Sequence, residues 1–120
     1  MLLLSHLLIG LVISIHLYIV WLEMFAWTTH GPQTFRSLRP ELFEPTKVLA
    51  ANQGLYNGFL AAGLVWALLI SAPAWQRNVA SFFLGCVAVA GIYGALTAGR
   101  RILFVQTVPA LLALAAVWLA

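Results

Sequence analysis

Charge is what this sequence has least of. Aspartate is missing from its 120 residues, and only nine side chains are ionic: six Lys or Arg and three Glu. A soluble domain carries about 25% charged residues, against 8% here. That leaves too little charge to coat a water-facing surface. Disorder is excluded as well, because it requires low hydrophobicity and high charge, and this chain is 63% hydrophobic with a mean hydropathy of +1.00. Cysteine is nearly absent. The single Cys86 lies in an apolar run, which rules out a disulfide framework and a CxxC metal motif. It reads as a small buried hydrophobe. The opening Met-Leu-Leu-Leu-Ser-His lacks the basic region of a signal peptide, and no small-residue cleavage site follows. We read it as a retained first span.

What is present is long apolar runs. One bilayer crossing takes about 20 residues, so the length has room for roughly four crossings and no soluble catalytic domain. The runs cover residues 2–27, 48–70, 78–98 and 102–120. They do not alternate in polarity, so helices are expected rather than barrel strands. The expected fold is all-α: one transmembrane domain, a four-helix antiparallel bundle. The first connection, 28–47, is long and polar, and Pro40, Leu42 and Phe43 point to a short interfacial helical turn in it. Pro45 suits the first turn of the second span. The other connections, 71–77 and 99–101, are short, which makes sequential helices antiparallel neighbours.

Orientation follows from the basic residues. Arg36, Arg39, Lys47, Arg100 and Arg101 fall on one side, against Arg77 and the N-terminal amine on the other. Positive residues collect in the cytoplasm. This predicts a multi-pass protein of the cell inner membrane with both termini outside. The net charge of +3 therefore reflects topology, and no nucleic-acid partner is expected.

Within the spans, polar residues stand out. The first carries His6, His16 and Glu23; the second Asn52, Gln53, Tyr56 and Asn57; the third Tyr93 and Thr97; the fourth Gln106 and Thr107. His16 and Glu23, seven residues apart, share a helix face within about 20°. Ala50, Gly54, Gly58 and Ala62 form a small-residue stripe that lets helices approach closely. Gly85, Gly91, Gly94 and Ala98 are expected to do the same in the third span. Pro109 cannot donate to the Val105 carbonyl and should kink the fourth helix beside Gln106.

An ionised carboxylate in hydrocarbon costs about 2.5–3.5 kcal/mol even on the lenient insertion scale. Glu23 should therefore face the bundle interior, a cavity or the interface. The reading is a polar pocket at the cytoplasmic side, open there and centred on Glu23. Its expected ligand-binding residues are Glu23, His16, Trp27, Asn52, Gln53, Tyr56, Asn57, Tyr93 and Gln106. No metal or cofactor is expected. Residues seven apart, such as His16 and Glu23, stand about 10 Å apart along a helix axis, and His16 and His30 about 21 Å; no His/Glu pair is three or four residues apart. Ser5, Ser14, Ser81 and Cys86 have no base nearby, so nucleophilic catalysis finds no support.

Several stretches together resemble a family of small bacterial and fungal membrane proteins known as domain of unknown function 1304. They are Glu-Met-Phe-Ala-Trp at 23–27, residues 46–63 with Asn-Gln-Gly-Leu-Tyr-Asn at 52–57, residues 90–95, and Gln-Thr-Val-Pro-Ala at 106–110. The resemblance implies a four-helix membrane protein and no particular activity.

Three functions fit these residues. The first is a protein, expected to be a homodimer in the lipid bilayer, that binds or transports an unknown small molecule or lipid through Glu23. The outline is similar to small multidrug-resistance transporters. The second is an intramembrane isomerase acting on a lipid or isoprenoid, with His16 and Glu23 as acid and base. The third is a structural or accessory subunit whose glycine faces meet another membrane protein.

Overall fold

The computed structural model describes residues 1–119. Ala120, the end of the fourth expected span, lies outside the described residues. Among these every regular element is helical. The helices are α1 (Leu3–Phe25), a short α2 (Gly31–Thr34), α3 (Lys47–Leu69), α4 (Pro73–Thr97) and α5 (Val108–Leu119). A 3-10 turn covers Pro40–Leu42, and a π-helical segment, Leu103–Thr107, leads directly into α5.

Two helices, α1 and α4, are long and apolar enough to cross a membrane. α3 has the same 23 residues as α1, but Asn52, Gln53 and Asn57 interrupt its apolar sequence. The last apolar helix, Leu103–Leu119, is shorter.

Each end of the bundle shows why its helices stop. Ala26 closes α1 by donating to the Leu22 and Trp21 carbonyls. α4 begins at Pro73, five residues earlier than the apolar pattern indicates. Proline fits the first helical turn because its missing N–H would have no partner there. Ala72 before it is extended, as a residue preceding proline prefers. Trp75 and Arg77 thus belong to a helix rather than a loop. Pro45 lies in the turn ahead of α3, which starts only at Lys47 with Thr46 before it.

The four long elements pack in a ring: α1 on α3, α3 on α4, α4 on the π segment and α5, and α5 back on α1. Each neighbouring pair is antiparallel. Val20 meets Gly58 while Met24 meets Gly54, Gly63 meets Phe83, and Gly91 meets Thr107 while Gly94 meets Ile102. The core is built from small and medium side chains, including Ile9, Val12, Leu64, Ala80, Leu84 and Ala113. Large apolar residues such as Leu3, Leu7, Leu69, Leu96, Phe104 and Leu119 point outward.

The expected small-residue stripes hold in part. Ala50 and Gly54 are buried against α1, but the stripe then turns away. Ala62 is exposed and Ala61 takes the inward position. A straight spacing of four drifts off a 3.6-residue helix. Gly91 and Gly94 lie at the contact with the last helix, whereas Gly85 has nothing nearby and is not a packing position.

Candidate functional site

The polar side chains inside the bundle form two separate pairs. The first joins α1 to α3. Asn57 Nδ2 donates to Glu23 Oε1 at 2.7 Å, and also reaches the Gln53 carbonyl of its own helix at 3.1 Å. Gly54, just short of a turn away, makes this approach possible. A Cβ there would come within 2.5 Å of Met24 Cγ and 3.1 Å of Glu23 Cβ. Both Glu23 and Asn57 are half-buried. Glu23 Oε2 has no hydrogen-bond partner among the described residues, and neither Arg100 nor Arg101 pairs with it. The single ion pair there is Arg39 with Glu41 on the surface.

The second pair lies deeper, seven residues earlier on α1, or about 10 Å along the axis. His16 is fully buried. Its Nδ1 is 2.8 Å from the Val12 carbonyl, so that nitrogen must carry the proton. Nε2 is then an acceptor, and Gln106 Nε2 donates to it at 3.2 Å. This is the neutral tautomer, assigned from its partners. Next to Gln106, Thr107 Oγ1 donates to the Ala88 carbonyl of α4 at 3.0 Å.

The π segment explains how two consecutive residues both reach the interior. Pro109 lacks the N–H that an α-helix would offer to Val105. The chain widens instead, and the Val108 N–H bonds to the Leu103 carbonyl. The kink expected at Pro109 is therefore resolved as a π turn, a feature often found at functional sites. Gln106, Thr107 and Pro109 are all buried, and Gly91 opposite gives Thr107 its space.

The remaining expected residues stand elsewhere. Asn52, Gln53 and Tyr56 are exposed on the outer face of α3, where Asn52 Nδ2 donates back to the Val48 carbonyl at 2.9 Å. Tyr93 is 69% exposed on α4. Trp27 lies just past the end of α1, where Nε1 donates to Thr46 Oγ1 at 3.0 Å. Its ring stands 4.9 Å from Phe43 and 5.4 Å from Phe35. Sequence reasoning missed this clamp. Its signal was two phenylalanines in an otherwise polar connection, flanking the 3-10 turn that was expected. Phe43 is buried, and a Cβ at Gly31 would stand 2.9 Å from its ring.

Two shallow apolar grooves lie away from both pairs. One, of about 320 Å³, runs between the start of α1 and the end of α5. The other, of about 300 Å³, lies between the end of α3 and the start of α4 and is lined by Trp66, Trp75 and Phe82 among others. None of the expected ligand-binding residues lines either groove. Among the described residues no His, Cys, Asp or Glu cluster has metal-binding geometry.

The family model described as "Protein of unknown function (DUF1304)" matches residues 10–118. That interval contains both polar pairs, the aromatic clamp and the π segment. "Uncharacterized protein YpaA" of Lactococcus lactis subsp. lactis (strain IL1403) is 32% identical over 99 residues, covering 81% of this chain and 82% of that protein. No solved structure matches this chain.

Proposed function

The chain belongs to the DUF1304 family of proteins of unknown function, and we propose that it is a four-span membrane protein that binds or carries a small cationic molecule at Glu23. In this reading α1, α3, α4 and the combined π–α5 helix cross the inner membrane, with both termini outside. The outward Leu, Phe and Val side chains support it, because soluble monomers rarely expose apolar patches beyond a few hundred Å². The five basic residues that collect at one end support the orientation.

The observation that carries the function is the state of the Glu23 carboxyl. One oxygen is held by Asn57 and the other is without a partner among the described residues. In a chain this poor in acids, such a group within a span marks a binding position. A cationic ligand supplies the missing donor or charge. A second copy packed on the outer face of α3 would cover Gln53, whose exposed side-chain amide lipid cannot satisfy. This is the basis for expecting a homodimer. His16 has both ring nitrogens engaged and is better placed to hold α1 against the last helix than to move a proton.

The test is calorimetric titration of the purified protein in detergent with tetraphenylphosphonium, a lipophilic cation. Glu23→Gln keeps an acceptor for Asn57 and removes the carboxylate. It should weaken binding at least tenfold, or about 1.4 kcal/mol. Equal affinity in the two proteins would sink the proposal.

A further inference from the structure

Arg77 stands apart from the other basic side chains. It lies in the second turn of α4, exposed, at the end of the bundle opposite Arg36, Arg39, Lys47, Arg100 and Arg101. None of the acidic side chains shares that end. Glu41 and Glu44 belong to the first connection. Glu23, bonded to Asn57, is about 18 Å away along the axis, following the register through Gly63 and Phe83. No Asp or Glu side chain of the chain therefore neutralises Arg77.

Its position is fixed by the last turn of α5. The guanidinium carbon stands 4.5 Å from the centre of the Trp118 ring. Such a cation–π contact holds the charge but uses none of the five N–H donors, and these have no hydrogen-bond partner among the described residues. Trp118 is anchored in turn, because its Nε1 donates to Ser81 Oγ at 2.7 Å. Ser81 follows Arg77 by four residues and shares its face of α4. Ser14 and Thr97 each donate to the carbonyl four residues earlier, the ordinary solution for a hydroxyl within a helix. Ser81 accepts from Trp118 instead, and its own proton has no acceptor among the described residues. The Trp118–Ser81 pair is exposed. Both sets of donors therefore stand open on the outside of the α4–α5 seam.

The donors are stepped along the helix. Ser81 lies about 6 Å deeper than Arg77, and the Arg77 side chain leans back toward the start of α4. A glycerophospholipid presents its acceptors in the same order, with the phosphate outside the hydrocarbon and the ester carbonyls at its edge. A guanidinium fork matches phosphate oxygens, and a hydroxyl proton matches a carbonyl. One turn beyond Ser81 on this face is Gly85, where a Cβ would have nothing within 4 Å. The surface below the ester is thus open for an acyl chain. We propose that Arg77 and Ser81 form a site for one membrane glycerophospholipid at the outer side, with the phosphate bound by Arg77 and an ester carbonyl by Ser81. The site rests on the reading that the helices cross the membrane, and it is independent of ligand binding at Glu23.

The full-length protein in a non-ionic detergent should be titrated with dioleoylphosphatidylglycerol, and the fraction carrying one lipid read by native mass spectrometry. Dioleoylglycerol, which has the same esters and no phosphate, is the control. We expect the phospholipid to bind at least tenfold more tightly than the control. Arg77→Gln should weaken phospholipid binding at least fivefold, and Ser81→Ala at least twofold. Arg100→Gln combined with Arg101→Gln, at the other end of the bundle, should leave it within twofold. Equal affinity of the wild type and Arg77→Gln would overturn the proposal. So would displacement of the lipid by inorganic phosphate, which would make Arg77 a site for a free anion. Residues appended after Ala120 carry the terminal carboxylate away from Trp118 and should leave the affinity unchanged. A severalfold rise would assign Arg77 to the chain's own end and overturn the proposal as well. Alkaline washing of membranes separates these failures from failure of the membrane reading, since a spanning protein stays with the lipid whether or not Arg77 binds one.

Discussion

Gly91→Val should collapse the stability of the bundle, and Gly85→Val should leave it nearly unchanged. Both glycines lie on α4, six residues apart. A Cβ at position 91 would meet Thr107 Oγ1 in a direct clash and would stand 2.8 Å from the Thr107 backbone nitrogen and 2.9 Å from Gln106 Cβ. Backbone cannot rotate out of the way as the tip of a side chain can. The clash also strikes the residue that bonds α4 to the last helix through the Ala88 carbonyl. Overpacking in a core costs about 1–3 kcal/mol where side chains can adjust. Here we expect more than about 3 kcal/mol, in the range reserved for severe strain. At position 85 a Cβ has nothing within 4 Å, so the change should stay within about 0.5 kcal/mol. Thermal unfolding in detergent, followed by circular dichroism, measures both. Equal effects would mean that α4 does not meet the last helix at Gly91.

The second large effect concerns His16 and Gln106. Gln106→Leu leaves His16 Nε2 buried without a donor, and His16→Leu leaves the Gln106 amide without its acceptor. An orphaned buried group costs about 1–3 kcal/mol. Hydrogen bonds between membrane helices are worth about 0.6 kcal/mol on average and at most about 1.7. We therefore expect a loss of about 1–2 kcal/mol for each single variant. The double variant His16→Leu with Gln106→Leu replaces both partners by apolar groups and should recover most of that loss. Losses that simply add would show that the two side chains do not interact.

The sequence displays the helices plainly, because each is a long apolar run between polar connections. The approach of α1 to α3 is legible too. Gly54 and Asn57 occupy neighbouring stripes of one helix, and Glu23 is the one acid outside the first connection. The partner of His16 is not legible. Gln106 lies 90 residues away, and its register is set by the π turn that Pro109 imposes. Pro109 announces an irregularity but not its form.

Polarity alone also overestimates how many side chains turn inward. A helical period relates residues to one another but does not say which face meets a neighbour. Asn52 bonds to the Val48 carbonyl of its own helix, so it can remain outside, and Tyr56 follows it one turn later. The aromatic clamp around Trp27 was hidden for another reason. Phe35 and Phe43 come together only when the first connection folds back on itself, and no spacing rule links residues across such a loop.

Native mass spectrometry of the detergent-purified protein tests the central claim most directly, because it reports bound small molecules and oligomeric state in one spectrum. The account predicts a dimer of the wild-type chain that retains a small-molecule adduct, and a Glu23→Gln dimer that has lost it. Identical spectra from the two proteins, with the same adducts or with none, would contradict it.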